Sequence, residues 1–157
     1  MHKLNISLDE LAFVLNRGET IKIACFLDLA TGNILNVPTE RQVLKNLIDN
    51  DHEVALYSTT ELVNKVMPKN KSVIPIPNLF NQYIYDLMNK FIVTAKDEFP
   101  DSIESLSQAV HNKGGYTDFR QIVLEEKDML KRYISVRDDF YEQIALNWLK
   151  ENEIELI

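Results

Sequence analysis

Few residues in this chain have the type and spacing that chemistry requires. The most suggestive stretch is Lys113-Gly114-Gly115-Tyr116, followed by Arg120. Two glycines ahead of a helix leave backbone amides open to an anion, and the flanking cations add positive charge. The same dipeptide has a plainer use: glycine permits the path of a tight interhelical corner, with Tyr116 and Phe119 packing inward. Farther on, Arg137-Asp138 fits a surface ion pair or a clamp on that corner. Asp138, Asp139 and Glu142 share a helical neighbourhood, as a magnesium site would need, but ordinary partners surround them and a solvated face is expected.

The remaining candidates are weaker. His2, His52 and His111 are far apart and none has a His or Cys neighbour, so no zinc ligand set is expected. Cys25, the only cysteine, alternates with apolar residues on a strand and reads as a small buried side chain rather than a nucleophile. No Gly-x-Ser-x-Gly elbow, Walker loop or Gly-x-Gly-x-x-Gly turn occurs. We therefore expect no catalytic residue, no metal and no cofactor. The ligand-binding candidates are Lys113, Gly114, Gly115, Tyr116, Arg120, Arg137 and Asp138.

The elements that must position these residues follow from periodicity. Ser7 and Glu10 have capping-box spacing, and Leu8, Leu11, Ala12 and Leu15 then share a helical face that ends at Gly18. From Thr20 the period becomes two. Ile21, Ile23, Cys25, Leu27 and Leu29 make the apolar face of a strand, Ala30 to Asn33 a turn, and Ile34 to Val37 the returning strand of a hairpin. Val43, Leu44, Leu47 and Ile48 fit a helix. Val54 to Ser58 reads as a third strand, Thr59-Thr60-Glu61 opens a single helical turn ended before Pro68, and Ser72 to Pro77 reads as a short strand whose prolines put it at a sheet edge or make it finish quickly.

The rest is helical. Apolar pairs recur every four residues between Asn78 and Ile92 and make a broad buried stripe. Asp101 or Ser102 caps a helix carrying Ile103, Leu106, Ala109 and Val110, and Gly114-Gly115 breaks it. Tyr116, Phe119, Ile122 and Val123 begin another. A last helix, about Ser135 to Asn152, buries Val136, Phe140, Ile144, Ala145, Trp148 and Leu149. Ile154 to Ile157 forms a terminal strand or a packed tail. No linker separates the parts, so the expectation is a single domain, 1–157. Its class is α+β: a small antiparallel sheet, hairpin plus one or two further strands, packed against a helical C-terminal half.

Several segments resemble a bacterial family known only as UPF (uncharacterised protein family) number 0158. Lys113-Gly114-Gly115-Tyr116-Thr117-Asp118-Phe119-Arg120 is similar to its "RGAFRRFK" segment. Val136-Arg137-Asp138-Asp139 is similar to its "FRDE", and Ile144 to Asn152 to its "iAieWLeen" ending. Phe26 to Gly32 resembles "YLDLETGE", and Ile76-Pro77 with Tyr83 and Met88 fits "IP…Y..M..F". Gly115 stands where the family has Ala, Tyr116 where it has Phe, and Tyr133-Ile134 where Trp-Tyr is common. The resemblance implies a compact domain and no assigned activity.

Composition bounds the function. The chain has 157 residues, 45% apolar and 26% charged, with net charge −7. Those values belong to a globular protein rather than a disordered or disulfide-built one. No apolar run reaches the roughly 20 residues that span a bilayer, and no signal core opens the chain, so a cytoplasmic location is expected and no membrane partner. Residues 1–96 carry ten acids and ten bases, whereas residues 97–157 carry fourteen acids and seven bases. That acidic field repels phosphate backbones, so nucleic-acid binding is disfavoured. Two short basic groups, Lys65, Lys69 and Lys71, then Lys127, Lys131 and Arg132, read as solvated turns and helix faces. The expected function is that of a non-catalytic accessory protein whose acidic helical face meets a protein partner, a basic one on charge grounds. The alternative is a small anionic-ligand binder or enzyme using a cleft near Lys113, Arg120, Arg137 and Asp138.

Overall fold

A computed structural model describes residues 2–48, 56–67 and 72–157. The chain folds into two compact units, one comprising Met1–Asn78 with Ala145–Ile157 and the other Leu79–Ile144. Strands and helices combine in an α+β architecture, with helix predominating in the C-terminal half.

In the first unit, β1 (His2–Leu4) leads into α1 (Leu8–Leu15). The Ser7 hydroxyl accepts a hydrogen bond from the Glu10 amide at 3.3 Å, and Leu11, Ala12, Val14 and Leu15 are buried. The helix closes at Asn16, two residues before Gly18, whose φ of 76° turns the chain. Then come β2 (Ile23–Asp28) and β3 (Ile34–Pro38), paired antiparallel with Cys25 opposite Asn36. The expected turn joins them. Asp28 accepts from the Gly32 amide through its carbonyl and from the Ala30 amide through its carboxylate, and Gly32 holds φ 79°.

α2 (Arg41–Leu47) and α3 (Thr59–Val66) follow. The strand expected at Val54 to Ser58 lies partly outside the described residues. Where it is described, Tyr57 and Ser58 are not in a strand, because Ser58 starts α3 instead. Its hydroxyl accepts from the Glu61 amide while the Glu61 carboxylate accepts from the Ser58 amide, so a full two-turn helix replaces the single turn expected. β4 (Val73–Ile76) lies at the edge of the sheet order β3-β2-β4, which suits Pro75 within it. Arg17 and Asn78 fasten this edge to the end of α1. The Arg17 guanidinium donates to the carbonyls of Ile76 and Pro77, and Asn78 exchanges two hydrogen bonds with the Gly18 backbone.

β2 departs from the expected one-faced strand. Cys25 and Leu27 are buried on one side, and Ala24 and Phe26 on the other pack against a cluster of Val37, Leu44, Leu62, Val63 and Met67. Both faces are covered because α2 and α3 supply apolar side chains to the second. Asp28, at the strand's end, is also buried, its carboxylate engaged by the turn.

The second unit is helical. α4 (Phe80–Ala95) is followed by a 3-10 turn at Pro100–Ser102, then α5 (Ile103–His111) and α6 (Gly115–Leu124). Ser102 has helical backbone angles and makes no side-chain cap, so the expected capping by Asp101 or Ser102 is replaced by the 3-10 lead-in. α7 spans Lys127–Glu151, eight residues longer at its start than the periodicity proposed. Met129 and Tyr133 explain the extension: both are buried and continue the apolar row backward. The rings of Phe91, Phe119 and Tyr133 meet edge to face at 5.3–6.0 Å, the geometry that their quadrupoles favour.

From Ala145 onward α7 belongs to the first unit, where Ala145, Trp148 and Leu149 are buried. β5 (Ile154–Leu156) then pairs with β1 in parallel, His2 opposite Ile154. This second sheet was not expected. Three residues at each terminus are too short to show a period, and their pairing spans nearly the whole chain length.

Candidate functional site

The Gly114-Gly115 corner is built by α5 and α6. α5 ends at His111, and the Asn112 amide donates to the Ala109 carbonyl at 3.2 Å. Gly114 then adopts the left-handed region at φ 73°, ψ 24°, and becomes the N-cap of α6. The two glycines serve different ends. Gly114 supplies backbone conformation, and a Cβ there would meet nothing within 4 Å. Gly115 supplies closeness, because a Cβ there would fall 2.1 Å from the Ala109 carbonyl oxygen. Only a residue without a side chain fits that approach.

Gly114, as N-cap, offers α6 no side-chain cap, and its carbonyl accepts from the Thr117 amide at 3.1 Å. The residues of this first turn line a groove of about 280 Å³. One wall is formed by Gly114 to Thr117. The other is the first half of α4, with Ile84 and Met88 as apolar floor and Asn81 and Tyr85 at the rim. Phe80 also lines it and meets the Tyr116 ring edge-on at 5.1 Å.

Behind Tyr116 lies a group of phenols. Tyr133 is buried, and among the described residues its hydroxyl has no hydrogen-bond partner in bonding geometry, although the Tyr116 hydroxyl is close enough to act on it. Desolvation first, then the neighbouring phenols, push the Tyr133 pKa upward, with Arg137 opposing. Tyr141 is pushed up to about 12, chiefly by burial and next by Tyr116, again with Arg137 opposing. Cys25 is buried in the first unit and its thiol is raised by desolvation, partly offset by Arg17. A raised thiol pKa is the opposite of what a nucleophile needs.

The seven expected site residues divide in two. Gly114, Gly115 and Tyr116 line the groove. Lys113 precedes it in the exposed turn, and Arg120 is exposed on α6, outside the lining. Arg137 and Asp138 bond to each other on α7, with the guanidinium donating to the carboxylate at 3.0 and 3.1 Å. Asn81, Tyr85 and Thr117 line the groove without having been singled out. Tyr85 had a visible signal: Tyr83-Ile84-Tyr85 places three large residues where a stripe two wide needs only a pair.

Among the described residues no three His, Cys, Asp or Glu side chains gather as a metal-holding group, and no helix is long and apolar enough to cross a membrane. His52, Lys69 and Lys71 lie outside the described residues. Of the basic groups, Lys65 sits 4.4 Å above the Tyr57 ring and Arg132 pairs with Glu98 at 3.0 Å.

These features define an α+β protein of two units, with an open groove at a glycine corner in the helical one. The chain belongs to the Uncharacterised protein family (UPF0158), whose model matches residues 1–157. No curated protein and no solved structure matches it.

Proposed function

We propose that this protein is a non-catalytic cytoplasmic accessory protein that binds a basic protein partner through the outer face of α4 and the adjoining groove. The observation that carries this reading is the row Asn81, Tyr85, Asn89 and Val93. These residues recur every four positions and therefore share one helix face. None is charged, and Tyr85 and Val93 are 53% and 75% exposed. An uncharged strip with two large exposed side chains, running into an apolar-floored groove, has the makings of an interface core. The acidic excess of residues 97–157 favours a basic partner over an acidic one. The test is paired affinity capture with wild type and Tyr85→Glu, Val93→Glu, compared by quantitative mass spectrometry. A partner retained by wild type and lost by the double variant supports the reading. Identical captures from the two proteins refute it.

A second reading, a small anionic-ligand binder or enzyme, has one observation in its favour: the first turn of α6, which has no N-cap side chain, lines the groove together with Asn81. A panel of carboxylates and phosphate esters, screened by thermal shift, tests it. A rise of several degrees with one anion, absent in Asn81→Asp, supports the reading, because a ligand that binds only the folded state raises the melting temperature. A flat panel removes it.

A further inference from the structure

We draw no further inference here: the strongest candidate, the phenol cluster of Tyr116, Tyr133 and Tyr141 beside Arg137 on α7, carries nothing because raised phenol pKa values alone do not show what would bind there.

Discussion

At the corner between α5 and α6, neighbouring glycines answer to different physical demands, and substitution separates them. Gly114→Ala places a side chain in open space but at positive φ, so we expect a loss of about 1 kcal/mol. Gly115→Ala drives a methyl group into the Ala109 carbonyl, and the backbone must shift, at a cost of about 3 kcal/mol. Urea denaturation of both variants checks the ordering, and equal losses would contradict it. The phenols make a second prediction at this scale. Tyr141 titrates near 10 when solvated and near 12 in the fold, so above pH 10 the unfolded chain holds fewer protons than the native one. Stability therefore falls with rising pH through the interval from 10 to about 12. Tyr133 and Cys25, also raised, act in the same direction. Alkaline melting curves should show a steeper decline for wild type than for Tyr141→Phe.

Among the elements, helix starts illustrate how local chemistry and tertiary packing share control. α3 begins with a reciprocal capping box, and Ser58→Ala removes its acceptor. The expected loss is about 1 kcal/mol, measurable as a shift in denaturation midpoint without a change in slope. α6 has no such device and relies on Gly114 for its entry, with Phe119 and Val123 buried behind it. α7 gained its first two turns from Met129 and Tyr133 against the aromatic cluster. Its other end turns into β5 through Glu153, a non-glycine residue at φ 57°. Asn152 helps to close that end by donating from its side chain to the Trp148 carbonyl at 2.8 Å.

For the whole molecule, the chain order matters more than any one contact. The first unit takes its residues from both ends of the sequence, so its folding requires the last thirteen positions as well as the first seventy-eight. The boundary at Ile144 falls inside α7 rather than in a linker. On that basis we expect the two units to unfold together as the single domain 1–157 that the sequence suggests. Differential scanning calorimetry should show one transition in wild type, with calorimetric and van't Hoff enthalpies agreeing. Trp148→Ala, at a buried position of the first unit, should lower that single transition by the equivalent of about 3–5 kcal/mol. Two resolved transitions in wild type, or a variant that melts only half the signal, would show the units to be independent.

Much of this fold was legible in advance because its signals are local. The hairpin was written in the change of period at Thr20 and in the Gly32-Asn33 turn, whereas the close approach of Gly32 to the Asn5 carbonyl appeared only in the fold. Pro75 and Pro77 pointed to a strand that is short or at an edge, and the four-residue repeat to α4, although the helix runs on to Ala95. The glycine corner was legible too, as a break in a helical pattern. What the residues could not announce depends on partners remote in sequence: β1 with β5, the second buried face of β2, and the groove that joins Gly114–Thr117 to Asn81 and Tyr85. Periodicity reports which side of an element is apolar, since each side chain carries its own solvation preference. It cannot report which distant element will cover that side, because the outcome is set by the packing of the whole chain.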